Sequence, residues 1–187
     1  MIRACTAADQ AAVRDVVTEA FGEEGRTVAA LVDDLRVAHA RAELVAEEAG
    51  EVVGHVMLSR SWVDARQALV EVLVLSPLSV APRHQGGGVG TALVAAAIEE
   101  AGRLGAPALF LEGSPDYYGA RGFEPATPRG FRSPSPRVPE PAFQVAVLDG
   151  LETWMRGPLV YCEPFWTHDC VGLRDPHLAE IERALET

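Results

Sequence analysis

The chain has 187 residues, of which 48% are hydrophobic, and it carries a formal net charge of −11 at pH 7. This length and apolar content suit one domain with a sizeable core. The negative charge argues against a nucleic-acid partner, because an acidic surface repels a phosphate backbone.

Residue usage excludes further classes of protein. The chain contains no lysine, which rules out Schiff-base chemistry and the lysine-dependent phosphate loop of nucleoside triphosphatases. Its three cysteines are widely spaced and odd in number, which disfavours a disulfide framework. The histidines near the C-terminus match no common zinc spacing, so no metal site is predicted. No apolar run is long enough to span a membrane and no signal peptide is visible, so we expect a cytoplasmic protein without a membrane partner.

The first third of the chain predicts two helices followed by a β-hairpin. The first helix begins at the capping residue Thr6, buries a valine-rich face and ends at Gly22. A second helix has its apolar residues at helical spacing over 28–35. Glu43–Glu47 and Val52–Leu58 are apolar-rich strands, and the short turn between them contains a glycine.

The centre of the chain predicts a strand, a glycine-rich loop, a helix and a second strand. Ala68–Val80 is apolar along most of its length, as in strands that are buried on both faces. Pro77 within it has no N–H to donate, so we expect a bulge or a splayed edge there. The glycine cluster at 86–90 leads into a helix over Thr91–Leu104, and Ala108–Glu112 is a short buried strand. This order is a crossover unit, which implies parallel or splayed neighbouring strands.

The remainder of the chain is interpreted as an extension of the same domain. Asp116–Arg121 predicts a short helix, Phe143–Leu148 a strand, and Pro176–Glu186 an amphipathic helix at the C-terminal end. We therefore expect a single domain over residues 1–187, with a core over about 1–126. A proline-rich arm and a C-terminal extension make up the residues from about 127 to 187.

The glycine cluster predicts an anion-binding site. A glycine-rich turn at the N-terminus of a helix exposes backbone N–H groups, and the helix dipole favours negative charge there. Pyrophosphate is the ligand best suited to such a site. A dinucleotide fingerprint would need glycine or alanine where Thr91 or Leu93 stands, so a nicotinamide-dependent oxidoreductase is the weaker interpretation. A tight turn that simply needs small residues is the alternative without a ligand.

Several motifs in register resemble the GNAT superfamily of acyl-CoA-dependent N-acyltransferases. Gln85-Gly86-Gly87-Gly88-Val89-Gly90 fits the superfamily's Gln/Arg-x-x-Gly-x-Gly/Ala signature, and Leu78-Ser79-Val80-Ala81-Pro82 is similar to the strand end that precedes it. Tyr118-Gly119-Ala120-Arg121-Gly122-Phe123 resembles the Tyr-x-x-x-Gly-Phe segment. The order of elements also matches from residue 2 to about 126. The chain therefore resembles a small bacterial acetyltransferase of this superfamily.

The resemblance implies both a fold and an activity. The fold is mixed α/β (α+β), with a mostly antiparallel sheet whose central pair of strands is parallel and splayed, flanked by helices. The activity is acetyl transfer from the cosubstrate acetyl-CoA to a primary amine by direct attack, without a covalent enzyme intermediate. Tyr118 matches the general acid that protonates the departing thiolate. The cofactor-binding residues that the resemblance implies are Leu78, Val80, Gln85, Gly86, Gly87, Gly88, Val89, Gly90 and Thr91.

One departure from the superfamily pattern affects the phosphate site. Gly87 stands where a basic residue often contacts phosphate. Arg83 is the candidate to replace that contact, unless the backbone suffices.

A second departure affects the base. Val74 stands where a glutamate base is common, although an alkylamine with a pKa of ~10.4 must lose a proton near neutral pH. Glu71 is the tentative base, and His55 and Glu112 are the other candidates. Without a base, a non-catalytic acyl-CoA-binding protein stays open as an alternative function. The acceptor is a small-molecule or peptide amine that the sequence does not identify, and a homodimer is expected because relatives are often dimeric.

Overall fold

The computed structural model describes residues 1–185 and contains one eight-stranded sheet with helices on both faces. The strands, in chain order, are β1 (Ile2–Ala4), β2 (Ala40–Glu48), β3 (Glu51–Asp64), β4 (Leu69–Val80), β5 (Ala108–Glu112), β6 (Glu124–Pro125), β7 (Phe143–Val147) and β8 (Leu159–Val160). The α-helices are α1 (Gln10–Phe21), α2 (Gly25–Ala38), α3 (Val89–Arg103), α4 (Pro115–Gly119), α5 (Glu163–Thr167) and α6 (His177–Leu185). Within residues 1–185, no helix is long and apolar enough to cross a membrane.

The sheet has the strand order β1-β2-β3-β4-β5-β7-β6, and β8 pairs with the far end of β3. Every pairing along this order is antiparallel except that between β4 and β5, which is parallel. The predicted fold class is therefore confirmed. The predicted elements are present with shifted ends: β3 continues past Leu58 to Asp64, and α3 begins at Val89 rather than at Thr91. Glu186, the predicted end of the last helix, lies outside the described residues.

The two faces of the sheet bury separate apolar clusters. Helices α1 and α2 cover one face, where Leu31, Leu35 and Met57 are buried. Helix α3 covers the other face, where Leu93 packs with Leu109. Burial of such side chains contributes about 1.5–3 kcal/mol each relative to exposure in water.

The segment predicted as a proline-rich arm packs against the sheet. Phe131 is fully buried, and its ring meets that of Phe110 on β5 edge-on at 4.8 Å. Phe143 on β7 stacks on Phe110 from another side, at 5.8 Å. Aromatic pairs of this kind add about 0.5–1.5 kcal/mol beyond area burial. This cluster connects the C-terminal part of the chain to the central strands.

The parallel pair at the centre separates after two residue pairs. Leu73 lies opposite Leu109 and Val74 opposite Phe110, and no later residue of β4 pairs with β5 among the described residues. At Pro77 the register of β4 against β3 shifts, whereas β5 stays paired with β7 from Ala108 to Glu112. The expected irregularity at Pro77 is confirmed, and it leaves a gap between the carboxyl ends of β4 and β5.

Candidate functional site

The glycine loop, residues 86–90, forms an open turn at the N-terminus of α3. Gly86 and Gly88 have φ values of 75° and 87°, in the left-handed region that favours glycine. A Cβ added at either residue would meet no atom within 4 Å, so this side of the loop is open. Helix geometry leaves the first N–H groups of α3 without intrahelical acceptors, and no side chain caps them. Gln85 holds the loop to the end of β4 by donating to the Val80 carbonyl at 3.0 Å.

Arg121 lies beside this helix end. Its Nε donates to Thr91 Oγ1 at 2.9 Å, and its guanidinium lies 3.7 Å from the centroid of the Tyr117 ring. The Tyr117 hydroxyl in turn lies over Gly90, where a Cβ would be only 2.4 Å from the Tyr117 oxygen. Arg121 forms no ion pair with a carboxylate of residues 1–185. It therefore places an unpaired positive charge next to the free N–H groups of α3.

A cavity of about 500 Å³ opens at the gap between β4 and β5. Its floor is the end of β4, from Val74 to Leu78, and one wall is formed by the end of α1 and the start of α2. Glu112 and Tyr118 lie on another side, and the C-terminal extension closes it with α5 and residues 168–173. A recess of this size is typical of small-molecule sites.

Tyr118 is held at this cavity by its neighbours. Ser114 caps the short helix α4, and the Tyr118 ring lies so close to Gly113 that a Cβ there would be 2.4 Å from Cε2. Phe123 meets the Tyr118 ring edge-on at 5.8 Å. Burial raises the pKa of Tyr118 to about 12. The phenol is therefore protonated at neutral pH, as a proton donor must be.

Glu112 is the carboxylate at the carboxyl end of β5. Its Oε2 accepts a hydrogen bond from the Gly172 N–H at 2.9 Å, whereas its buried Oε1 has no hydrogen-bond partner among the described residues. Burial raises the pKa of Glu112, and the Gly172 N–H, the Tyr161 phenol and Arg137 oppose that rise. A carboxylate with a raised pKa and a free oxygen is suited to accept a proton.

The structure does not bring the tentative base Glu71 to this cavity. Glu71 lies near the start of β4, its side chain is half exposed, and it pairs with Arg41 at 3.0 Å. Arg83, the candidate for the missing phosphate contact, lies instead beside two carboxylates, 3.7 Å from Glu19 and 3.6 Å from Glu51. Long-range packing decides both placements, and no local sequence pattern reports it.

Comparison with known proteins agrees with this geometry. The profile of the acetyltransferase (GNAT) family matches residues 11–124. The uncharacterized N-acetyltransferase YjhQ of Escherichia coli K12 is 36% identical over 135 residues, which cover 71% of this chain and 74% of the relative. The chain belongs to the GNAT acetyltransferase family. The resemblance seen in the sequence is thereby confirmed, and the enzyme is an acyltransferase by family.

Solved GNAT structures share the fold over most of the chain. The structure of YhbS from Escherichia coli in complex with CoA has a TM-score of 0.77 and 28% identity, covering 88% of this chain and 91% of that one. A Brucella melitensis GNAT acetyltransferase in complex with acetyl-CoA has a TM-score of 0.72 and 28% identity, covering 88% and 97%.

The third base candidate, His55, has a structural role in this GNAT enzyme. Its side chain is fully buried on β3, and Nε2 lies 2.9 Å from Glu43 Oε1. Arg36 donates to the same carboxylate at 2.5 Å. Burial alone would raise the pKa of Glu43, but hydrogen bonds from His55 and Arg36 outweigh it and lower that pKa to about 2. Burial lowers the pKa of His55, with Glu43 opposing.

Because His55 is buried, we expect the protein to lose stability in mild acid. Because the pKa of His55 is lower in the folded protein than its usual 6.5, the unfolded chain takes up a proton first as the pH falls. The free energy of unfolding should therefore decrease from pH 7 to pH 5. In His55→Gln, whose amide still donates to Glu43 but does not titrate, we expect this slope to be smaller by up to about 1.4 kcal/mol per pH unit.

Urea unfolding at a series of pH values measures these slopes. His177→Gln is the matched control, because the His177 side chain is 73% exposed on α6. An unchanged slope in His55→Gln would contradict the assignment of His55 as a buried neutral group.

Proposed function

We propose that this enzyme transfers the acetyl group of acetyl-CoA to a primary amine by direct attack. The observation that carries the proposal is that Tyr118 and Glu112 share one cavity with the separated end of β4. One of these residues is a protonated phenol and the other a buried carboxylate with a free oxygen. Direct transfer between an amine and a thioester needs one group that accepts a proton and one that donates it.

The residues of the glycine loop fit the phosphate groups of acetyl-CoA. The open left-handed turn at Gly86 and Gly88 leaves room for an anion against the free N–H groups of Val89, Gly90 and Thr91. The guanidinium of Arg121 supplies the positive charge that Gly87 lacks. This assignment replaces the earlier candidate Arg83. The binding of CoA and acetyl-CoA in two relatives that are 28% identical supports the same donor for this chain.

The unpaired edge of β4 fits the extended arm of the donor. Leu78 and Val80 lie on the part of β4 that has no β5 partner, and an extended chain can add to such an edge through backbone hydrogen bonds. This edge of β4 leads from the glycine loop to the cavity at the gap between β4 and β5, which we call the acceptor cavity. The donor would thus be held at both ends by groups that this chain already presents.

The chain's own residues supply the proton transfers. Bound acetyl-CoA contributes the activated thioester, and the acceptor amine attacks it as a free base. Glu112 takes the first proton, from the incoming ammonium, directly or through water. Tyr118 gives its phenolic proton to the departing thiolate, and the second proton, which the attacking nitrogen loses as the amide forms, reprotonates the Tyr118 phenolate through water. General acid or base catalysis of this kind contributes typically 10²–10⁴-fold each.

A thermal-shift titration tests the donor site. Acetyl-CoA at about 100 times its Kd should stabilise the folded protein by ~2.7 kcal/mol, and CoA should act similarly. NADH should give no shift, because the nicotinamide fingerprint is absent. Arg121→Gln should weaken acetyl-CoA binding by about tenfold, since a charged hydrogen bond is lost.

Arg129→Gln is the control for that variant, because Arg129 pairs with Glu124 at 2.8 Å instead of facing the loop. No shift with either CoA or acetyl-CoA would contradict the acetyl-CoA proposal, and a shift with NADH would favour an oxidoreductase.

Removal of the Tyr118 hydroxyl tests the general acid. In Tyr118→Phe we expect kcat to fall by about 10²–10⁴-fold with little change in acetyl-CoA affinity, because the ring packing is kept. Thiol release from acetyl-CoA with an amine acceptor is the measurement. Tyr117→Phe, the neighbouring tyrosine, should retain kcat within a few-fold. Full turnover by Tyr118→Phe would eliminate Tyr118 as the acid, and acetyl-CoA binding without thiol release from any amine would instead favour a non-catalytic binding protein.

Removal of the Glu112 charge tests the base. Glu112 acts only when deprotonated, so kcat/KM of the wild type should fall as the pH drops through its raised pKa. In Glu112→Gln we expect the midpoint of this acid limb to move up towards the pKa of the amine, and activity near pH 7 to fall by about 10²-fold. Activity should then recover as the pH approaches ~10.4, where the amine loses its proton unaided.

Glu71→Gln is the matched control, and it should keep both the rate and the pH profile of the wild type. If the acid limb moved to higher pH in Glu71→Gln but not in Glu112→Gln, the two carboxylates would have to exchange roles.

A further inference from the structure

Apolar and aromatic side chains form part of the wall of the acceptor cavity, beside polar and charged ones. Phe21 and Leu31 contribute from α1 and α2, and Tyr161 and Phe165 contribute from the extension. Phe165 is fully buried and Tyr161 nearly so, which makes this wall part of the packed structure and not a surface loop. An acceptor of matching shape would bury an apolar body here, because burial of apolar surface favours binding by about 25 cal/mol per Å².

The charges in the cavity are predominantly negative. Glu112 and Glu24 both line it, and neither forms an ion pair with a described residue. No arginine is among the described residues that line the cavity, and the sequence contains no lysine. The lining imidazole, His168, lies 2.6 Å from Asp34 outside the cavity.

A third carboxylate in the lining, Asp169, is already neutralised. It accepts from the guanidinium of Arg174 and lies 3.4 Å from Arg137. Neither of these arginines lines the cavity. The two unpaired carboxylates are therefore the charges that an acceptor meets.

We propose that the acceptor is a small primary amine with an apolar body and no carboxylate group. This inference rests on the proposed acetyl transfer. An ammonium group is attracted by Glu112 and Glu24, whereas an α-carboxylate would meet like charges without a cation to bind it. Like-charge contacts of this kind discriminate strongly between ligands that are otherwise alike. The cavity thus favours an amine over the amino acid from which decarboxylation would derive it.

Matched pairs of acceptors test this inference. We would compare 2-phenylethylamine with phenylalanine, tyramine with tyrosine, and pentylamine with norleucine, because each pair differs in one carboxylate. Thiol release from acetyl-CoA should give a kcat/KM at least about tenfold higher for the amine in each pair. Equal or higher values for the amino acids would overturn the proposal.

A binding measurement keeps the test independent of turnover. Calorimetric titration of each pair into the protein, alone and saturated with CoA, should show tighter binding of the amine. Failure of acetyl-CoA to bind would remove the proposed function, but the titration of the protein alone would still report the preference of the cavity. If no amine of the panel binds in either titration, the proposed acceptor class is wrong.

Charge reversal at Glu24, the exposed carboxylate of the cavity, gives a further test. In Glu24→Arg we expect the ratio of amine to amino-acid kcat/KM to fall by about tenfold or more, with a higher KM for the amine and a lower one for the amino acid. Glu23→Arg is the matched control, since Glu23 precedes Glu24 in the same turn but does not line the cavity. An equal change of the ratio in both variants would show a general effect of surface charge and would overturn the role of Glu24.

Discussion

The separation of β4 from β5 is the constraint on which the rest of the site depends. Two parallel residue pairs hold the strands together, and Pro77 then prevents regular continuation, because it has no N–H and shifts the register against β3. Beyond that point one edge of β4 has no β partner among residues 1–185. Backbone groups left in this way need a partner, and an extended ligand can provide one. Strand β5 stays straight because β7 pairs along its whole length, so Glu112 remains fixed at the side of the gap.

The charges around this gap differ between its two ends. At the glycine loop, the dipole of α3 and the unpaired Arg121 favour a negatively charged ligand. At the acceptor cavity, Glu112 and Glu24 favour a positively charged one. Other arginines, such as Arg3 and Arg36, form ion pairs with carboxylates of the sheet and its helices. In a chain with a net charge of −11, an arginine without an ion pair beside free backbone N–H groups is a favourable place for an anion.

The backbone features at the gap could be predicted from the sequence, whereas the placement of the carboxylates around it could not. The glycine loop, α3 and the break at Pro77 each depend on backbone properties of adjacent residues, which the sequence displays directly. Whether a carboxylate can act as the base depends on which end of its strand lies at the gap between β4 and β5. Glu71 precedes the parallel pairing and lies roughly 20 Å along β4 from Pro77. Glu112 is the last residue of β5, and the rule that ligands bind at the carboxyl ends of parallel strands is a signal that could have favoured it.

Short strands were also not predicted from the sequence, because they show no periodic pattern. Strands β1 and β8 have three and two residues, too few for an alternating pattern to emerge. Arg121 was part of a recognised motif, but its contact with Thr91 joins two elements far apart in the chain, which no local pattern reports. The unsatisfied Oε1 of Glu112 is likewise a property of the packed structure alone.

One hydrogen bond joins the C-terminal extension to Glu112, the proposed base. The family match ends at residue 124, yet the Gly172 N–H from beyond that limit holds Glu112 Oε2 at 2.9 Å. Gly172 has a φ of 62°, and a Cβ there would lie 2.4 Å from the Arg137 carbonyl oxygen, so only glycine brings this N–H to the carboxylate. The same segment supplies cavity wall on either side of Gly172. A change in the extension that reshapes the acceptor wall must therefore also move the carboxylate that we propose as the base, which couples the evolution of specificity to that of rate.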